Sequence, residues 1–262
     1  MSQLEFDYNI RSGWRERVES PAVIGEKFIK TLDALSRLDP VLFANWRLFE
    51  LRARTLTLDE ARPGIAALVE KNVVLDDSRK PLPTYGYHAL ASAGKFKDPR
   101  CVNFKADAGG KYDGGTLLQF GDYDVPPDPA IVTFPLFKAA LPAINAIWQA
   151  PWACAYVFEV SYYEAPLFPG APLFPYSIFH IPWLTYLSAP LADGLELPRE
   201  ILTERTSDGG LLMIAAEERL DPTNPEHLRR ARILVDIMVS RTGHRFSTPA
   251  RFIDLSSNNE RP

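Results

Sequence analysis

The chain has 262 residues, 46% of them hydrophobic and 24% charged, with a formal net charge of −4. This composition excludes an intrinsically disordered chain and supports a sizeable core, in one large domain or two intimately packed halves. The acidic balance argues against direct nucleic-acid binding, which needs clustered Lys and Arg to neutralise phosphates.

In chain order, Leu4, Phe6, Tyr8 and Ile10 alternate with Glu5, Asp7 and Asn9. This period of two predicts a half-buried first strand ending near Gly13. Ser20-Pro21 supplies an N-cap with proline at the first helical position, and Val23, Ile24, Phe28, Ile29, Leu32, Leu35 and Leu38 follow at helical spacing as far as Asp39-Pro40. Phe43, Trp46, Leu48 and Phe49 suggest a second strand, after which Thr57 caps a short helix carrying Ile65, Leu68 and Val69. The opening order is therefore β-α-β-α.

From Tyr85 to Phe120 short β-forming runs alternate with turns at Lys97-Asp98-Pro99 and across 109–115, which predicts an antiparallel meander. An acidic loop, GDYDVPPDP, follows. Phe134 to Gln149 keeps a helical stripe of Leu136, Phe137, Ala140, Leu141, Ile144, Ile147 and Trp148 despite Pro135 and Pro142, the second of which could kink or divide the helix. ACAYVFEVSYY (153–163) is a strong strand former.

The pentapeptide APLFP then occurs twice, at 165–169 and 171–175. Such a segment cannot pair as a central strand and is expected to be a loop. It could present Phe168 and Phe174 to a partner or tuck them over the core. Beyond it, 178–236 reads as an aromatic strand, a proline-marked connection, a glycine-led strand entered through Ser207-Asp208-Gly209-Gly210, and a capped helix with His227 on its polar first turn. The expected fold is α+β, with largely antiparallel sheet and several packing helices in a single compact unit over residues 1–244 and a polar tail at 245–262. The pattern leaves open two similar halves, although no sequence repeat establishes them.

No GxSxG elbow or cysteine signature supports a nucleophile, and Cys101 and Cys154 lack the spacing of a metal knuckle or disulfide framework. His88, His180, His227 and His244 are dispersed, so neither a metal nor a cofactor is expected. The glycine pairs match no phosphate-binding loop and read as turns. No apolar leader or window of about 18 apolar residues occurs, and a cytoplasmic protein without membrane contact is expected. One pattern fits a binding protein. Asp107, Asp113, Asp122, Asp124 and Asp128 fall close together with Tyr112 and Tyr123, and Lys111 is the basic residue among them. Such a surface could mimic phosphates and meet a basic partner.

Gly13-Trp14 after the first strand, LSRLDP (35–40), QAPWACAY (149–156), PWLTYLSAP (182–190), SDGGLLMIAAE (207–217) and NPEHLRRARILVD (224–236) stand in an order that resembles the immunity protein 52 family of bacterial polymorphic-toxin systems. The resemblance spans about residues 5–240, without the proline-rich 164–175 insertion and the tail. It implies a non-enzymatic, cytoplasmic antitoxin for interbacterial competition, as in type VI secretion. The partner would be a cognate toxin, first of all a nuclease with a restriction-endonuclease-like fold, whose cleft the protein occludes. The family supplies no catalytic residues. Partner contact is then expected at Asp107, Tyr112, Asp113, Asp122, Tyr123, Asp124 and Asp128, with Phe168 and Phe174. The rival readings are a small α+β enzyme using Glu159, His180 and Asp208, and a secretion-system adaptor.

Overall fold

A computed structural model describes residues 6–50, 54–122, 125–159 and 181–242. The first strand, β1 (Phe6–Trp14), leads through a Ser20-capped turn into α1 (Pro21–Leu38), with Pro21 at the first position as its fixed φ favours. A hairpin of β2 (Arg47–Glu50) and β3 (Arg54–Thr57) follows. Thr57 then caps α2 (Leu58–Ala61) through a capping box with Glu60. A 3₁₀ turn at Arg62–Gly64 separates α2 from α3 (Ile65–Lys71), which carries Leu68 and Val69 inward.

The expected meander is present as β4 (Tyr87–Ala93), β5 (Val102–Ala108) and β6 (Gly114–Phe120). Gly114 and Gly115 therefore belong to a strand and not to a turn. A Cβ on Gly115 would strike the Ser12 carbonyl of the adjacent strand, which explains glycine at that position. The helix α4 (Phe134–Trp148) continues through Pro142 and ends at Gln149 in the left-handed conformation (φ 50°). The chain continues with β7 (Trp152–Glu159), β8 (Ile181–Leu187), α5 (Ala189–Ala192), β9 (Leu202–Arg205), β10 (Leu211–Ile214) and α6 (Pro225–Thr242).

Among the described residues the strands form one ten-stranded sheet in the order β3-β2-β4-β5-β6-β1-β7-β8-β10-β9, and every pairing is antiparallel. The first strand of the chain is central, between β6 and β7. Tyr8, Ile10, Ser12 and Trp14 point to the face carrying α1 and α4, where Trp14 stacks on Trp148 at 5.5 Å and Ser12 is 2.6 Å from Thr116. The Trp148 indole N–H donates to the Thr31 hydroxyl at 2.9 Å, joining α4 to α1.

The two halves of the sheet are covered differently, and their sequences follow. In β5 and β6, Val102, Phe104, Ala106, Leu118 and Phe120 are buried, whereas Asn103, Lys105, Asp107, Leu117 and Gln119 are half-buried on the far face. In β8 and β10 every residue is buried, and both α4 and α6 pack against β8. Alternation thus marks the half with one covered face, and uninterrupted apolar runs mark the half with two. Pairing of Ala155 with Leu184 but Tyr156 with Pro182 leaves Trp183 as an extra residue in β8. The bulge seats Trp183 against Phe137 (4.9 Å) with its N–H on the Ala216 carbonyl (2.9 Å).

His227, on the first turn of α6, faces inward. It is 6% exposed, and its Nδ1 accepts the Asp221 N–H at 3.0 Å, which leaves the ring proton on Nε2, 3.3 Å from Glu218. It fixes the entry to α6.

Trp148 joins α4, α1 and β1, so Trp148→Ala is expected to lower the unfolding free energy by about 3–5 kcal/mol, the usual range for deleting a fully buried aromatic. A urea denaturation curve with a lower midpoint and an unchanged slope is the corresponding measurement.

Candidate partner-binding site

The acidic segment 107–128 is divided by the fold. Because Asp107 pairs with Gly115 and Val102 with Phe120, Asp107, Tyr112 and Asp113 lie at one end of the meander and Asp122 and Asp128 at the other. The strand between those ends is about 17 Å long at ~3.4 Å per residue. The pattern in sequence is therefore two clusters in space.

Their charges are also largely matched. The Asp107 carboxylate is 2.5 Å from His88 Nδ1, directly opposite on β4, and 2.9 Å from Lys105 Nζ. Burial, the largest influence, pushes Asp107 upward, yet the His88 and Lys105 contacts outweigh it and hold the carboxyl below its ordinary value. Asp122 is 8% exposed and accepts the Lys97 N–H at 2.6 Å. Asp128 accepts the Ala130 N–H at 2.9 Å and lies 3.2 Å from the Arg100 guanidinium. These cations come from neighbouring strands and turns, so the reading of Lys111 as the sole counterweight does not hold. Asp113 is exposed, beside the exposed Tyr112, whose ring stacks on Tyr85 at 4.4 Å. Tyr123, Asp124, Phe168 and Phe174 lie outside the described residues, as does the tail at 245–262.

Sequence reasoning passed over a cavity of about 450 Å³ between the end of α4, the Gln149–Pro151 turn, the start of α5 and the β9–β10 hairpin. Its floor includes Tyr186, whose hydroxyl donates to Asp208 Oδ2 at 2.7 Å. Asp208 Oδ1 accepts from the Thr206 hydroxyl at 2.5 Å and the Gly210 N–H at 3.1 Å. The Thr206 bond first, then Tyr186 and Gly210, hold the Asp208 carboxyl below its ordinary range against partial desolvation. The Tyr186 phenol is pushed up, first by burial and then by the carboxylate that it serves. Asn145, 2% exposed, lines the same cavity, and its Oδ1 has no hydrogen-bond partner. The SDGG turn was the available signal, but it reveals only the hairpin.

A second hollow of about 760 Å³ lies among the α1–β2 loop, the β3–α2 junction and the β4–β5 turn, with Arg47, Lys95 and Arg100 at its margin. Burial pushes the Cys101 thiol up to about 11, helped by Asp122 and Asp98, and the Cys154 thiol up to about 12. Both are poor nucleophiles at neutral pH. Among the described residues no three His, Cys, Asp or Glu side chains converge to hold a metal ion, and no helix is long and apolar enough to cross a membrane.

No protein-family model matches the chain, and no curated protein matches it. Among solved structures it is similar to the Pseudomonas aeruginosa T6SS protein PA0821, with a TM-score of 0.53 and 14% identity, over 93% of this chain and 74% of that one. At that identity the likeness defines a shared α+β fold.

The hydrogen bond from Tyr186 stabilises ionised Asp208, so Tyr186→Phe is expected to raise the Asp208 pKa toward the ordinary aspartate value of about 3.9. A carboxyl carbon NMR titration of the two proteins reads the direction.

Proposed function

We propose that the chain is a non-enzymatic immunity protein of the immunity protein 52 type, which binds a cognate secreted toxin in the cytoplasm of the producing cell. The observation that carries this reading is the shared fold with a T6SS protein across nine-tenths of the chain, joined to the ordered motifs from Gly13-Trp14 to the 224–236 helix. A fold can host unrelated functions, so the reading rests on both together.

The partner in this reading is a nuclease with a restriction-endonuclease-like fold, inhibited by occlusion of its cleft. A nuclease cleft is basic because it holds phosphates, and the net charge of −4 complements it. Among the described residues, Asp113, beside the stacked Tyr85 and Tyr112, is the exposed acid of the predicted acidic surface. Asp122, which is buried, and Asp107 and Asp128, which have cationic neighbours, serve the fold first.

Co-expression with the product of the neighbouring open reading frame is the decisive experiment. Growth is expected to stop when that product is made alone and to recover by orders of magnitude in viable count when both are made, with a complex that survives gel filtration. A neighbour that is harmless alone, or a toxic one that this chain neither binds nor silences, removes the reading.

A further inference from the structure

The cavity beside Asp208 has a chemistry that specifies its occupant. Among the described residues that line it, Asp208 is the one charged residue, and none is a Lys, Arg or His. The nearest cationic neighbour on the hairpin, Arg205, donates to the Gly209 carbonyl at 3.2 Å. Whereas Asp107 and Asp128 face cationic side chains, Asp208 is held, among the described residues, by neutral donors. A carboxylate offers about four acceptor sites. Thr206 and Gly210 occupy Oδ1 and Tyr186 takes one on Oδ2, so one lone pair remains for a further donor.

We propose that this cavity receives a cationic side chain of the protein partner, the ammonium of a lysine or the guanidinium of an arginine. The proposal rests on the toxin-binding reading and names a contact within it. Pro142, Ala146, Pro151, Ala189 and Pro190 line the approach, an apolar sleeve suited to a methylene stem whose charged head meets Asp208. The single free acceptor on Asp208 selects an end-on N–H donor. The enclosed, unpartnered Oδ1 of Asn145, behind the same lining, adds partial negative charge beside the cavity. The elements that frame the site, a strand, a helix end and a hydrogen-bonded hairpin, hold it ready before the partner arrives.

The test uses the full chain. Ala146 and Asp208 are both exposed, and Ala146→Trp blocks the cavity from a helix surface even if Asp208→Asn disturbs the hairpin; thermal midpoints check folding. Binding to the purified toxin from the neighbouring reading frame is expected to weaken about ten- to a thousandfold in each variant, the range for breaking a desolvated charge contact. Wild-type binding with unchanged affinity in both variants overturns the cavity assignment and leaves the immunity reading standing. If the wild-type chain binds no such toxin, the immunity reading falls. The cavity is then judged by NMR titration with N-acetyl-lysine amide, N-acetyl-arginine amide and neutral N-acetyl-citrulline amide. A saturable shift of the Gly210 amide with either cation, absent for citrulline and in Asp208→Asn, supports the cation site and identifies the preferred head group. No saturable shift overturns it.

Discussion

The pairing of β1 on both of its edges is the constraint on which the structure depends. Its residues face β6 from Tyr8–Phe120 to Trp14–Gly114 and face β7 from Phe6–Glu159 to Gly13–Trp152. Among the described strands, β1 stands between five on one side and four on the other. The side chains along β1 suit this position. Gly13 leaves room for the Trp152 ring, Ser12 meets Thr116, and Trp14 enters the stack with Trp148. A register slip by one residue would exchange these faces and place Asp7, Asn9 and Arg11 against the helices.

Unequal cover of the sheet separates two kinds of surface. The β4–β6 half presents a half-exposed far face with paired charges, Asp107 with His88 and Lys105 among them. Matched pairs of this kind on a partly solvated face contribute little net attraction to a partner. The cavity at Asp208 differs, because its carboxylate is fixed by neutral donors and keeps its charge available. Position in the fold, more than the number of acids in a stretch of sequence, decides which charge can act in recognition.

Much of the fold was legible in the sequence. Alternation located β1, β-forming runs between turns located the β4–β6 meander, and Ser20-Pro21 and Thr57 located helix starts. The edge strands β3 and β9 were not, since four residues give too little periodicity to distinguish a strand from a loop. Pro142 invited a break in α4 that does not occur. The site was much less legible. Antiparallel turns send residues close in sequence to opposite ends of the sheet, which divides Asp107 and Asp113 from Asp122 and Asp128. The cavity, conversely, joins 142–151 to 186–190 and 206–208, and no local pattern reports that meeting.

The central place of β1 also affects how the protein is made. Gly13 waits for Trp152, 139 positions later in the chain. At synthesis rates of about 5–20 residues per second, roughly 7–28 s pass before the ribosome delivers that partner. β1 is thus made well before its second edge can be paired, and that edge must be shielded on the nascent chain until β7 arrives. Assembly of the sheet, and with it any surface spanning both halves, waits on strands as far along the chain as β10.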